Sequence, residues 1–558
     1  MSLRTWRLRR ALPQGQEPWK HLQTAFGLSP EAARLAWLRG EDTEEALAWR
    51  LKPEWNRTLD PFLMQGMGAA VARIRKALQE KERIVVYGDY DVDGVTATAL
   101  LVRVLEKAGG TPEFFIPNRF NDGYGLHLDC IRELRDRGGP GLFISVDCGV
   151  RSVEEVCASK DLGIDWIITD HHALAPDLPP AEAVIHPALG DYPNPVLAGV
   201  GVAFKLGQAL LDAVPYPGKT DIPFLDGLLK LVALGTIADM VPLRGENALL
   251  VKRGLLALSG ANGPGLSELL KAARIEGVPK AQEIAFGVAP RINAVGRMGA
   301  AESAVRLLLT RDAAEARQLA AEAEAMNAAR KTVQDALAAS LPESDGQAFD
   351  LVVSENAHKG VLGIVAARRM RESGRPAGVG TIVDGLAHCS LRAPEGYDLA
   401  ALLALAQPFL RSGGGHRAAA GITFEVAHLP FVRQVLARGA AAQAANLGIP
   451  ELAIDGFLGD GIPCAEELAA LEPFGQGFPE QVLLLEGSLQ GPVQAFGQGH
   501  RKFRMEGVKG DITWFFGESG ASTLQVGDAL RVAASPQDHP RWGRSWRLDT
   551  LLDREDAP

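Results

Sequence analysis

Apolar positions along the chain change period several times, and the changes divide it. Up to about residue 60 the pattern is of short helices carrying Trp and Arg among polar positions, and a longer amphipathic helix is predicted near 62–80. Short apolar runs follow: Ile84-Val85-Val86-Tyr87, Leu142-Phe143-Ile144-Ser145-Val146 and Asp165-Trp166-Ile167-Ile168-Thr169, with helical stretches at 95–108 and 151–160 between them. Runs of this length without polar alternation are strands buried on both faces. Their alternation with helices predicts an α/β fold with a doubly wound parallel sheet.

Residues 196–320 read as mainly helical. From Asp312 to Ser340 the chain is rich in Ala, Glu and Arg and free of Gly and Pro, which predicts one long connector helix. A second α/β stretch opens with Asp350-Leu351-Val352-Val353. The last hundred residues alternate instead, as in Lys502-Phe503-Arg504-Met505 and Asp511-Ile512-Thr513-Trp514-Phe515-Phe516, and predict a small β-barrel. The expected division is an N-terminal helical segment at 1–60, a doubly wound domain at 61–310, a connector helix at 311–345, a second α/β domain at 346–448 and a β-barrel at 449–558.

Composition narrows the picture only a little. A chain of 558 residues is too long for a single core. Its net charge of −10 argues against a surface coated in basic residues, though a local positive groove suffices for nucleic acid. The five cysteines, Cys130, Cys148, Cys157, Cys389 and Cys464, form no C-x-x-C pair, so neither a disulfide framework nor a zinc knuckle is expected. The basic start Met1-Ser2-Leu3-Arg4 leads into no apolar run, and no stretch is long enough to span a bilayer. A cytoplasmic protein without membrane contact is expected.

The candidate chemistry sits at strand ends. Tyr87-Gly88-Asp89-Tyr90-Asp91-Val92-Asp93-Gly94 places three alternating carboxylates after one strand and before a helix. Carboxylates so close repel one another unless cations intervene, and hard divalent metals fill that role. An acidic turn capping the next helix explains the same residues equally well. A helix-loop-helix calcium site needs an acidic twelfth position, which the apolar helix after these residues does not supply. Asp147, in Val146-Asp147-Cys148-Gly149, ends a second strand, and Asp170-His171-His172 ends a third. Asp239 is a lone acid in the apolar run Leu234-Gly235-Thr236-Ile237-Ala238-Asp239-Met240, where a metal or a salt bridge would compensate its burial. No G-x-x-x-x-G-K-[ST] motif is present, which sets aside P-loop nucleotide hydrolysis.

Taken in order, Gly88–Gly94, Val146–Gly149, Asp170–His172 and Gly235–Asp239 resemble the four motifs of the DHH phosphoesterase superfamily. Gly413-Gly414-Gly415-His416-Arg417-Ala418-Ala419-Ala420-Gly421 resembles the glycine-rich signature of its associated second domain. The likeness is strongest to the single-strand-specific exonucleases of the group. It extends to Ile116-Pro117-Asn118-Arg119, Gly123-Tyr124-Gly125-Leu126, Pro290–Met298, His358–Ala366 and Leu471-Glu472-Pro473-Phe474-Gly475-Gln476-Gly477, and so covers nearly the whole chain. Phe478-Pro479-Glu480-Gln481 departs from the pattern, which more often has an Asn after the glycine.

This resemblance implies an exonuclease digesting single-stranded DNA from 5′ to 3′ to mononucleotides, in DNA recombination and repair. Asp89, Asp91, Asp93, Asp147, His171 and Asp239 would hold two divalent ions, manganese or magnesium, which activate water and stabilise charge on the phosphoryl oxygens. His172, grouped with Asp170 as catalytic, is expected to contact phosphate or donate a proton, or else to support its neighbour. Ser390, Arg392, Gly414, Gly415 and His416 would form a terminal-phosphate pocket, with Arg297, Asn327 and Arg330 toward the strand. For Asn327 and Arg330 an exposed helix face is as good an account. The terminal barrel would bind single-stranded nucleic acid by stacking and backbone contacts. The implied partners are single-stranded DNA, a single-strand-binding protein and a RecQ-type helicase, with the chain a monomer. Two readings compete: a small-molecule or nano-RNA phosphatase of the same superfamily, and an inactive scaffold that grips single strands.

Overall fold

The computed structural model describes residues 5–13, 17–118, 124–213, 221–298, 301–355, 357–448, 451–497, 499–515, 524–539 and 543–555. Residues 1–4, and Arg119, Gly123 and Phe516 of the motifs above, lie outside the described residues.

The N-terminal segment holds the expected short helices, at Lys20–Phe26, Pro30–Leu38 and Glu44–Leu51, and also a strand, β1 (Thr5–Leu8), that the helical reading missed. Local sequence could not reveal β1, because its partner lies far along the chain.

The doubly wound domain is built on five parallel strands: β2 (Ile84–Tyr87), β3 (Glu113–Phe115), β4 (Gly141–Val146), β5 (Ile164–Thr169) and β6 (Ala183–Ile185), in the order β3-β2-β4-β5-β6. All four residues of β2 are buried, as a strand covered on both faces requires. The helix Val92–Lys107 is buried over most of its length, and helices Gly199–Ala213 and Ile222–Ala238 pack on it. The chain steps from β2 to β3 on one side and then returns to place β4 on the other. The gap between the carboxyl ends of β2 and β4 is therefore a topological switch point, the usual crevice for ligands in such sheets.

The connector is the helix Ala313–Ser340, about 42 Å long at 1.5 Å per residue, and the Asp312 side chain caps it by accepting the N–H groups of Ala314 and Glu315. The second α/β domain carries β7 (Asp350–Ser354), β8 (Ala377–Val383), β9 (Leu386–Arg392), β10 (Ser412–Gly415) and β11 (Ala419–Glu425), in the order β10-β11-β9-β8-β7. Next, β12 (Glu451–Ile454) pairs in parallel with β1.

The C-terminal region corrects the expectation of a barrel. Strands β13 (Gly456–Phe457), β14 (Leu483–Ser488), β15 (Gln494–Phe496), β16 (His500–Phe503), β17 (Ile512–Trp514), β18 (Ala529–His539) and β19 (Gly543–Glu555) form one sheet, ordered β13-β14-β18-β19-β17-β16-β15. Among the described residues its edges do not pair. Closure requires continuous ladders at matched stagger, and the edge strands have only two and three residues. An isolated bridge, Leu489 to Met505, draws the sheet into a curve without closing it. Among the described residues no helix is long and apolar enough to cross a membrane.

Candidate metal centre

The acidic side chains meet at the switch point, each placed by an element end. Asp91 caps the helix Val92–Lys107: its Oδ1 accepts the N–H groups of Asp93 at 2.9 Å and Gly94 at 3.1 Å. The capping account therefore holds for that oxygen. Asp93 does something else. Its carboxylate turns to the start of the helix Gly199–Ala213 and accepts the N–H groups of Gly199 at 2.7 Å and Val200 at 2.8 Å. Asp239 ends the helix Ile222–Ala238 as its C-cap residue. Asp147 follows β4 at φ 63°, a left-handed conformation that costs a non-glycine residue energy and often marks a functional turn.

Two glycines let these elements close in. A Cβ at Gly199 would stand 2.4 Å from Asp147 Oδ1, and one at Gly235 would stand 2.8 Å from Asp93 Oδ1. The glycines are thus steric requirements of the cluster.

His171 Nε2 sits among three carboxylates, 3.2 Å from Asp147 Oδ1, 3.6 Å from Asp239 Oδ2 and 3.7 Å from Asp93 Oδ2. Three overlapping groups bring ligand atoms within 4.8 Å of one another: Asp147–His171–His172, Asp93–His171–Asp239 and Asp89–Asp91–Asp147. Burial, with repulsion from Asp93 and Asp91, pushes Asp147 well above the usual carboxylate range. Burial likewise pushes Asp93 and Asp239 up to about 7 and pulls His171 down. Among the described residues Asp147 Oδ1 and His171 Nε2 are buried and make no hydrogen bond. Buried polar atoms without partners are costly. Hard divalent cations bound by carboxylate oxygen and imidazole nitrogen would satisfy both atoms and offset the repulsion, so the donor set fits them.

Asp170 stands apart from that set, and His172 touches it only through the group with Asp147 and His171. Asp170 is buried, and its Oδ1 accepts the N–H of His171 at 2.7 Å, the N–H of His172 at 3.1 Å and His172 Nδ1 at 2.8 Å, while Oδ2 accepts the N–H of Val150 at 3.0 Å. Burial alone would raise Asp170, but the hydrogen bond and charge of His172 outweigh it and hold the carboxyl low. Burial would likewise lower His172, but Asp170 holds it up at about 9. With Nδ1 engaged by Asp170, Nε2 is the nitrogen left for a substrate.

Two residues to which the sequence assigned no role complete this part. Tyr124 Oη lies 2.8 Å from His172 Nδ1. His186, buried just after β6, donates its Nε2–H to the carbonyl of His172 at 2.8 Å, while its Nδ1 accepts the N–H of Ala188. The strand-end rule that found Asp147 and Asp170 finds His186 when applied to β6. Tyr124 carried only the faint signal of an aromatic among glycines.

The second-domain residues gather on one sheet. Ser390 and Arg392 share a face of β9, as their alternation predicted. The register sets Ser390 opposite Gly421 and Gly421 opposite Gly414, so the three lie on one line across the strands. Gly363 approaches the same face, since a Cβ there would stand 2.7 Å from Arg392 Nη2. The glycine run forms an edge strand, which turns alternate N–H groups outward. His416 N–H donates to Ala419 O at 2.8 Å.

Arg297 joins the two domains rather than standing in open space, its Nη1 donating to Gly360 O at 3.1 Å. One residue earlier, a Cβ at Gly296 would stand 2.6 Å from Tyr90 O, so this helix end bridges the acidic loop to the second domain. Asn327 is buried and its Oδ1 accepts from Arg330 Nη2 at 3.0 Å, while Arg330 Nη1 donates to Gln334. The exposed-face account fails for Asn327: the two side chains engage each other along the connector. In the last domain the aromatics divide. Phe503 and Trp546 are core, while Phe496, His500 and Phe515 form a ring-to-ring chain with the two phenylalanines at its exposed ends.

Comparison with known proteins agrees with this layout. Residues 83–236 match the DHH family, N-terminal domain; 345–440 match the DHHA1 domain; and 462–546 match the RecJ OB domain. The chain is 36% identical over 504 residues to the single-stranded-DNA-specific exonuclease RecJ of Bacillus subtilis, covering 88% of this chain and 63% of that protein. It is 36% identical over 516 residues to the same-named protein of Thermus thermophilus, covering 90% and 72%. It is 35% identical over 484 residues to that of Escherichia coli, covering 80% and 82%. The crystal structure of Thermus thermophilus RecJ in complex with Mn2+ superposes with a TM-score of 0.83 at 32% identity, covering 99% of this chain and 80% of that one. The Mg2+ complex gives 0.77 at 31% identity, covering 99% and 79%. By domain content, sequence and fold, the chain belongs to the RecJ family of DHH proteins.

Proposed function

We propose that this chain is a divalent-metal-dependent exonuclease that degrades single-stranded DNA to mononucleotides from the 5′ end, serving DNA recombination and repair in the cytoplasm. One observation carries the reading: a buried carboxylate–imidazole cluster lies at the switch point of the sheet, with Asp147 Oδ1 and His171 Nε2 making no hydrogen bond there. Its relatives are named single-stranded-DNA-specific exonucleases, and solved relatives hold Mn2+ or Mg2+.

In this reading residues 61–310 carry the chemistry, 311–345 connect, 346–448 hold the terminal phosphate and 449–558 hold the strand. Asp89, Asp91, Asp93, Asp147, His171 and Asp239 hold two ions, Mn2+ or Mg2+. When bound, such ions neutralise phosphoryl oxygens and make water a better nucleophile. His172 presents Nε2 to the scissile phosphate. Asp170 acts through it as a positioning residue, fixing the ring by the hydrogen bond to Nδ1. Ser390 and Arg392 on β9, with the edge strand that carries Gly414 and Gly415 and the neighbouring His416, take the terminal phosphate. Arg is suited to it by its planar fork of donors. Arg297 keeps the two domains at a fixed distance, so that phosphate binding in one sets which bond reaches the other. Asn327 and Arg330 stiffen the connector. The enzyme acts as a monomer, with a single-strand-binding protein and a RecQ-type helicase supplying its substrate.

The test is digestion of single- and double-stranded DNA and RNA, labelled at either end, with Mn2+, sizing the first products. Mononucleotides released first from the 5′ end of single-stranded DNA are expected. Activity confined to duplex, or release from the 3′ end first, overturns the proposal. Activity on dinucleotides alone favours the small-molecule phosphatase instead.

A further inference from the structure

Away from the metal centre, a pocket of about 380 Å³ is lined by Arg9, Arg10, Arg39 and Arg244, together with Leu38, Gly40, Asp42, Gly477 and Pro479. Four guanidinium groups share it with few acids. Asp455 pairs with both Arg9 and Arg39, and Asp42 pairs with Arg10. Arg244 forms no ion pair among the described residues; its Nε–H donates to the carbonyl of Gly477. Counting these pairs together with buried Glu41, which pairs with Arg50 and is also drawn to Arg244, five cations face three anions, in a chain whose net charge is −10. The charge of Arg244 also bears on Arg39, where burial is the main cause lowering the guanidinium and Arg244 adds to it. Cations so placed repel unless an anion joins them, just as the carboxylates do around a metal.

The pocket is built. Arg39 is buried, and its fork is fixed by Asp455 and by the carbonyls of Pro479 and Glu480. Arg10 lies over the Trp37 ring, 3.8 Å from its centroid. Arg244 is also the N-cap residue of the 14-residue helix Gly245–Leu258, whose positive end adds to the field.

We infer that this arginine pocket binds a backbone phosphate of the single strand, several nucleotides from the bond that is cut. The inference rests on the single-strand reading above. Two observations favour a strand over a free ion. Arg244 is five residues after Asp239, at most about 18 Å along the chain, so the pocket lies within a short strand's reach of the acidic cluster. The pocket also shares Arg9 and Pro479 with a larger cavity of about 1560 Å³, whose wall includes Met240, the residue next to Asp239. That larger cavity offers little free positive charge, since its Arg7, Arg9 and Arg547 are paired with Glu451, Asp455 and Glu480. The smaller pocket is where a phosphate gains most.

The test compares wild type with Arg244→Ala, Arg10→Ala and Arg244→Lys, measuring KM and kcat on a single-stranded 30-mer and on a dinucleotide over a range of KCl. For the alanine variants we expect KM on the 30-mer to rise about tenfold with kcat unchanged, and the salt slope to fall by about 0.7 for the one lost phosphate contact. Dinucleotide kinetics should not move, and Arg244→Lys should restore most of the slope. An unchanged slope in a folded alanine variant overturns the inference, and Arg10→Ala decides it should Arg244→Ala not fold. If inorganic phosphate raises the melting temperature of wild type but not of Arg244→Ala, while 30-mer kinetics stay equal, the pocket holds a free ion and the strand assignment falls. Wild type inactive on single strands would sink the single-strand reading itself, a separate result.

Discussion

Two regions of this molecule bury charge, and they do so in opposite ways. At the junction of the N-terminal segment with residues 455–482, Arg39 meets Asp455 through two contacts of 2.9 Å, its remaining N–H groups reach the carbonyls of Pro479 and Glu480, and Asp455 also takes the N–H of Val482 and Arg9 Nε. At the acidic cluster, Asp147 is as deeply placed, yet it and the part-buried His171 each keep a buried atom with no hydrogen bond. Between Arg39 and Asp455 opposite charges satisfy each other directly; in the acidic cluster like charges crowd together, a repulsion that divalent cations would offset. The segment Phe478–Gln481, which departs from the family pattern, belongs to the first kind: Phe478 is buried beneath the Arg50 guanidinium, 3.5 Å from its ring centroid, and Pro479 and Glu480 serve Arg39 through their backbones.

The contrast is sharpest at Asp147. Asp147→Ala should lower nuclease activity by on the order of 10³-fold or more, several kcal/mol of lost charge stabilisation. Yet its melting temperature in chelator should stay level or rise, because a repelling charge is gone; a clear fall would break the contrast. Arg39→Ala should do the reverse. It leaves Asp455 buried without its main partner, and urea unfolding should show a loss of about 3–5 kcal/mol while kcat of the folded fraction holds. Mn2+ at a hundred times its Kd should stabilise wild type by about 2.7 kcal/mol and leave Asp147→Ala unmoved. Equal stabilisation of both would place the metal elsewhere. The smallest effect is expected at Tyr124→Phe, which removes one hydroxyl beside His172. A fall in kcat of about fivefold, near 1 kcal/mol, should appear with metal stabilisation intact.

Much of this was legible in the sequence where the cause is local. The apolar run at 84–87 admits only a buried strand, the absence of Gly and Pro from 312 to 340 admits one helix, and acids after strand ends point to the crevice that parallel sheets create. What escaped depends on partners distant in the chain. Tyr124 gains meaning only beside His172, 48 residues on, and the mutual bond of Asn327 and Arg330 depends on the face the connector buries. Alternation showed the C-terminal strands but not their order, which the long β18–β19 pairing decides. For Asp91 the capping account holds for one oxygen, and the residue also joins the acidic group.

The pairing of β1 with β12 also bears on how the protein is made. Arg9 and Asp455 are 446 residues apart. A ribosome adding about 5–20 residues per second needs roughly 20–90 s between them. Through that interval β1 and Arg39 have been made but β12 and Asp455, their partners, have not. β1 thus leaves the ribosome well before β12, the strand that completes its sheet.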